Sequence, residues 1–402
     1  MTSKDDSRIT PANAATKPQA GGRGHPNHTR PPPFERTKTP IASSKGSSVA
    51  IPQPPLPYVP GACFDIKPHK PPPAFHNGSG HSGPDPNEWD DDPWPGFEGA
   101  PSTIVELCLE HRPRRTSPPP DQAPPHEATR RLQVTQQIRC GDPCNAQVVR
   151  CRVYGKGIDG KEELDGKDLV AKIFDPLYIG LEKCEEHECS PTYFAEHYYS
   201  SEAAAYIRIK EKKLDGKYTP RFEDCWFLEL PLYDAEGRLM ARREVRLILQ
   251  QFIPGDTMEA LINRGEVEKI DPTVRMGLLD RLMEAHSQLS WVGVQSNDLH
   301  PRNYMVSKDS IDFDGWQITL IDFSHSRVLE HPDSDRKDRP LPESPITTLG
   351  RCWPPRCQRW IPKEYDCRNK ESFDRRLKWM KKRWEGMSEY GPINSEWLPK
   401  PP

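Results

Sequence analysis

The stretch GVQSNDLHPRNYMV (293–306), a polar turn, and WQITLIDFSHS (316–326) decide how this chain is read. Asp298 and Asp322 each stand at the end of a hydrophobic run, with Asn303 between them. Two neighbouring hairpin strands that bring a carboxylate, an amide oxygen and a second carboxylate together can hold a hard divalent cation and place a hydroxyl beside it. That donor set points to phosphoryl transfer.

Working upstream, a lysine on a strand and a glutamate on a helix complete the pattern. Asp168–Phe174 (DLVAKIF) is an apolar strand whose one cation is Lys172. Arg131–Thr135 and Ala146–Tyr154 read as two earlier strands, and 155–166, with Asp-Gly at Asp159 and Asp165, as a long hairpin turn. Tyr193–Lys210 has helical character and carries Glu202 beside three alanines that permit close packing; Glu196 is its competitor. Arg243–Ile253 gives another strand, broken at Pro254-Gly255-Asp256. Asp271-Pro272 supplies an N-cap and first-turn proline for a helix over Thr273–Leu289. A last amphipathic helix is expected at Ser372–Trp384, its basic residues forming a solvated face. Strands around a lysine, a helix, a linker strand, a long buried helix and two short hairpins make a two-lobed α+β pattern.

Composition sets the outer bounds. The chain has 402 residues, 46 of them proline, with 34% hydrophobic residues and a mean hydropathy of −0.83, too few apolar groups to order the whole length. Residues 1–126, with runs such as Arg30-Pro31-Pro32-Pro33 and Ile51–Pro57 (IPQPPLP), are expected to form a disordered proline-rich tail, either a featureless linker or a segment docking on protein partners. Within it only Ser102–His111 has an apolar cluster, expected as a short helix or strand touching the folded part, and order is expected to begin near Glu127. Residues 391–402 are expected to be flexible. A net charge of −3 gives no reason to expect nucleic acid or an acidic membrane as partner. The start MTSKDDSRIT lacks the build of a signal peptide and no apolar run is long enough to span a bilayer, so a soluble intracellular protein, cytoplasmic or nuclear, is expected. Eleven cysteines, an odd number without zinc-knuckle spacing, are expected as free thiols.

The order strand lysine, helix glutamate, linker strand, Asp-x-x-x-x-Asn, hydrophobic strand, Asp-Phe, from about Gln133 to Ser326, resembles the protein-kinase-like superfamily, including aminoglycoside and choline kinases and fungal-type protein kinase domains. Asp298–Asn303 (DLHPRN) is similar to its catalytic loop, Asp322-Phe323-Ser324 to its metal-binding Asp-Phe-Gly, and Val170-Ala171-Lys172 to its Val-Ala-x-Lys strand. The resemblance implies an antiparallel-sheet N-lobe at 127–254 and a mainly helical, reduced C-lobe at 255–390. It implies that ATP is bound through Lys172 with Glu202, through Ala171, and through a linker of Gln250, Gln251 and Phe252 whose backbone bonds adenine. Asp298 would orient or deprotonate a hydroxyl on a protein or small-molecule acceptor, and Asn303 and Asp322 would hold Mg²⁺. The chain departs from that pattern at Gly141–Ala146, where one glycine and Pro143 replace a glycine-rich phosphate loop, at Ser296 in the place of a bracing histidine, and at Ser324 in the place of glycine.

Overall fold

Period-two alternation of apolar residues explains the first half of the molecule. Trp226, Leu228, Leu230 and Leu232 occupy every second position, as do Val245, Leu247 and Leu249, and as do Val149, Cys151 and Val153; each set turns to the same interior. The computed structural model describes residues 51–72, 74, 103–110, 129–141, 144–155, 166–180, 182, 184, 190–308, 315–329, 340–350, 357–393 and 398. In chain order it contains β1 (Cys63–Pro68), α1 (Ile104–Glu110), β2 (Arg130–Arg139), β3 (Gln147–Tyr154), β4 (Leu169–Phe174), α2 (Pro191–Glu211), β5 (Phe222–Tyr233) and β6 (Leu239–Gln251). There follow β7 (Asp256–Thr257), α3 (Met258–Asn263), α4 (Pro272–Trp291), β8 (Val294–Ser296), β9 (Tyr304–Lys308), β10 (Trp316–Leu320), β11 (Ser326–Val328), α5 (Pro345–Gly350) and α6 (Lys370–Trp384).

Six strands close into a barrel in the order β1-β2-β3-β4-β6-β5, every neighbouring pair antiparallel. Closure depends on β1, which pairs with β2 through Phe64 and Leu132 and with β5 through Ile66 and Leu228. A barrel of this size is filled by its own side chains, here Leu132, Val134, Leu169, Ala171, Ile173, Trp226 and the inward leucines of β5 and β6. The expected two-lobed protein-kinase-like fold, an open antiparallel N-lobe sheet above a reduced helical C-lobe, is therefore not the fold of this chain. Its sheet has no open edge, because β1 covers the edges that β2 and β5 would otherwise leave bare. Beyond the barrel, a three-stranded sheet β10-β9-β7 and a β8-β11 pair share the remainder with four of the six helices among the described residues.

The expected tail at 1–126 is corrected at the same place. Cys63–Pro68 is a barrel strand, so order begins well before Glu127. Ile104–Glu110 is a helix whose Ile104, Val105 and Leu107 are buried. Residues 1–50 and 111–128, most of the 155–166 turn and most of 391–402 lie outside the described residues. No disulfide links the described cysteines, and no helix among the described residues is long and apolar enough to cross a membrane.

The strand β4 is buried on both faces, all six residues, because the barrel core lies on one side and α2 on the other. Leu169, Ala171 and Ile173 enter the barrel core, and Phe174 meets Tyr199 of α2 at 5.6 Å between ring centroids. Helix α2 starts where Ser190 accepts a hydrogen bond from the Tyr193 amide with Pro191 in the first turn. Its other side meets Phe323 through Tyr206 (5.2 Å) and His325 through Tyr198 (5.2 Å). Helix α4 starts at the Asp271 cap and Pro272 read from the sequence.

The chain leaves the barrel through Gly255, whose φ is +136° and whose missing Cβ would stand 2.2 Å from the Val306 carbonyl oxygen. Backbone meets backbone there, so no flexible side chain can yield. Gly255→Ala is expected to destabilise the protein by about 2 kcal/mol or more, read as a lowered urea midpoint with an unchanged m-value.

Candidate functional site

Strand alternation aims Lys172 out of the barrel and into α2. Its Nζ donates to Glu202 Oε2 at 2.5 Å and to Asp322 Oδ1 at 2.8 Å, so residues 30 and 150 positions away converge on one ammonium group. Glu202 is fully buried, and the Phe323 backbone amide favours its charged form alongside Lys172. Burial pushes the Glu202 carboxyl up to about 7, against the pull of Lys172. Burial also opposes charge on Lys172, but Asp322 and Glu202 more than offset it and raise its pKa. Asp322 is held well below the usual carboxylate range: Lys172 and hydrogen bonds from Ser324 outweigh its own desolvation.

Asp322 sits in left-handed backbone with φ 61°, a conformation that costs a non-glycine residue about 1–3 kcal/mol and that collects at functional sites. Ser324 stabilises it: its hydroxyl donates to Asp322 Oδ1 at 2.6 Å and its amide at 3.3 Å. Phe323 between them is buried against Tyr206, which turns the carboxylate back toward Lys172.

The Asp298–Asn303 turn is tied to this centre by backbone. Ile321, next to Asp322, donates its amide to the Asn303 carbonyl at 2.9 Å, continuing the β9–β10 ladder in which Leu320 opposes Tyr304. Asn303 Nδ2 donates to the Asp298 carbonyl and to Asp298 Oδ2, both at 2.9 Å. Arg302 adds a contact to the same Oδ2 at 2.8 Å. His300 caps the turn by accepting from the Arg302 amide at 3.2 Å. Ser296 braces the loop by sheet pairing, opposite Ser326.

The arrangement thus joins Lys172, Glu202 and Asp322 directly and places Asp298 and Asn303 on the adjoining turn. Between the two helix carboxylates it selects Glu202, since Glu196 faces Arg246 at 3.7 Å instead. Ala171 is not at the site: its side chain lies in the barrel core. The expected linker also changes. Gln250 and Gln251 are the last residues of β6; Gln250 lies between Val170 and Phe222 in the barrel ladder, and the Gln251 amide donates to the Arg221 carbonyl at 2.9 Å. Barrel pairing claims backbone that the linker reading assigned to adenine. Phe252 packs under the Arg150 guanidinium at 4.2 Å. Buried Gln250 keeps one acceptor, Oε1, without a partner among the described residues, on the strand next to Lys172. At the expected phosphate loop, the Gly141 amide donates to Gln147 Oε1 at 2.6 Å; residues 142–143 lie outside the described residues.

Among the described residues no group of three His, Cys, Asp or Glu is arranged for a metal ion. The donor chemistry for Mg²⁺ is narrower: the bonds to Lys172 and Ser324 all fall on Asp322 Oδ1, and Asn303 uses its NH₂ group. Asp322 Oδ2 and Asn303 Oδ1 are hard oxygen donors of the kind Mg²⁺ takes together with several waters. The sequence pattern did not reveal Arg302 and Ser324 as partners of the two aspartates; a polar residue two positions after Asp322 was the one signal for Ser324. No family model matches the chain, and the comparison with curated proteins found no match.

Glu196 gives the site's scaffold a pH dependence. Burial raises its carboxyl to about 7, against the nearby Arg246 charge. A group whose folded pKa exceeds its unfolded value adds stability below the unfolded pKa and loses it as pH rises through the folded one. Glu196→Gln is therefore expected to gain stability relative to the native chain between about pH 4.5 and pH 7, by roughly 3 kcal/mol at most, measured as the pH dependence of the difference in urea midpoints.

Proposed function

We propose that this protein is an ATP- and Mg²⁺-dependent phosphotransferase that moves the γ-phosphate to a hydroxyl acceptor. The observation that carries the reading is the buried Lys172 held between Glu202 and Asp322 at 2.5 and 2.8 Å, beside the Asp298–Asn303 turn. Strongly perturbed, paired charges of this kind cluster at functional sites. The likeness of the Asp298–Asn303 and Asp322-Phe323 segments to the loops of the protein-kinase-like superfamily supports the reading at the level of the site, not of the fold.

Lys172 supplies the positive charge for the nucleotide phosphates, and Glu202 keeps the ammonium aimed. Mg²⁺, held by Asp322 and Asn303, would neutralise charge on the phosphate oxygens as it shifts from the γ-phosphorus to the leaving group. Asp298 accepts the proton of the acceptor hydroxyl, the hydroxyl oxygen bonds to the γ-phosphorus, and the bond from that phosphorus to the β-phosphate oxygen breaks to release ADP. Position and counter-charge do most of this work.

A second reading, nucleotide binding without transfer, is favoured by one feature: Arg302 and Asn303 both occupy Asp298 Oδ2, the atom a base would use. Asp298→Ala distinguishes the two. The transferase reading expects a loss of phosphate transfer of about 10²-fold or more with the Mg·ATP thermal shift retained; equal turnover in the variant, or no turnover in the native chain, rejects it. Asp322→Asn is expected to abolish the Mg²⁺-dependent part of that shift.

A further inference from the structure

Residues 51–58 (IPQPPLPY) form no helix or strand, yet most of their polar contacts fall on one short element, with Gln137 of β2 adding a hydrogen bond to the Tyr58 carbonyl at 2.9 Å. Gln53 Nε2 donates to the Leu177 carbonyl at 2.5 Å. The Tyr178 hydroxyl lies 3.1 Å from the Pro54 carbonyl and 3.0 Å from the Pro55 carbonyl. Tyr58 is fully buried, with its hydroxyl on Asp175 Oδ2 at 2.5 Å and its ring edge-on to Tyr178 at 6.3 Å. Asp175 is buried too, and its other oxygen takes the Leu177 amide at 3.1 Å and the Arg243 guanidinium. Ile51 and Leu56 pack on the barrel core beside Tyr58. Prolines suit such a segment, since they fix φ, lose little entropy on docking and leave carbonyls as the main polar groups to be satisfied.

The element so gripped, Asp175–Ile179, begins at the end of β4, three residues after Lys172, and opens the connection to α2, which carries Glu202. It packs against α2 and α1. The element gripped by the proline-rich segment thus continues the strand of Lys172 and packs on the helix of Glu202.

We infer that residues 51–58 are an in-cis proline-rich ligand of the Asp175–Tyr178 element, a strap whose docking sets the alignment of Lys172 with Glu202 and so controls nucleotide affinity. The control of affinity rests on the proposed function; the docking and its mechanical link to the ion pair do not. A partner that captured the IPQPPLP stretch would remove the strap and weaken the phosphate grip.

The test uses the full chain with Gln53→Ala and, separately, Tyr58→Phe, each losing one strap bond, worth a factor of about two to ten in local opening. Hydrogen exchange is expected to quicken by that factor in 169–179 and in the first half of α2, with α6 unchanged, and the Mg·ATP dissociation constant to rise severalfold. Exchange that is unchanged at 169–179, or accelerated equally in α6, overturns the strap. Local acceleration with an unchanged dissociation constant overturns its control of the site. If the native chain binds no nucleotide the functional reading fails by itself, and the exchange pattern still decides the mechanical link. Should Tyr58→Phe fail to fold, Gln53→Ala at the rim carries the measurement.

Discussion

An ammonium group buried between two carboxylates is the constraint around which the rest is arranged. Lys172 leaves the barrel wall, Glu202 comes from the helix laid against that wall and Asp322 from the segment beyond β10. A single buried charge without partners is prohibitive, and a pair is stable only when held in good geometry. The packing supplies that geometry: aromatic contacts fix α2 to Phe174 and Phe222 on one side and to Phe323 on the other. Removing any of the three charged residues leaves the other two in a space that was shaped for balance.

Much of this was legible in the sequence, and for identifiable reasons. The site residues lie where a hydrophobic run stops at a polar group, a signal that survives without knowledge of the fold. The start of α4 at Asp271 follows from its cap and first-turn proline, whereas α2 begins at Pro191 behind a Ser190 cap, two residues before the expected start at Tyr193. Lys172, Glu202, Asp298, Asn303 and Asp322 were all readable as candidates because charged or amide side chains within or beside apolar segments need a reason.

What was not legible was closure. Strand β5 does show its alternation at Trp226, Leu228, Leu230 and Leu232, although Pro231 and acidic neighbours obscure it. Strand β1 shows almost nothing: CFDIKP sits between prolines and has one buried side chain, Ile66. It becomes a strand because β2 and β5 both offer backbone groups in need of partners, a tertiary demand that local propensity does not encode. The same demand explains Gln250 and Gln251, whose backbone went to the ladder. Tyr58 fell within the expected tail for a related reason, since a tyrosine among prolines looks solvated until a buried Asp175 is found opposite it.

The way β1 closes the barrel also has a consequence for how the protein is made. Lys67 of β1 and Glu229 of β5 meet across 162 residues of sequence, so the strand that leaves the ribosome first must wait for its second neighbour. Until β5 and β6 have emerged, β2 and its neighbours form a sheet with exposed edges, the form most open to pairing with other chains. Long-range pairing of this kind slows folding. The proline-flanked, polar character of β1 therefore suits a strand that must stay soluble with one edge unpaired until β5 emerges and closes the barrel.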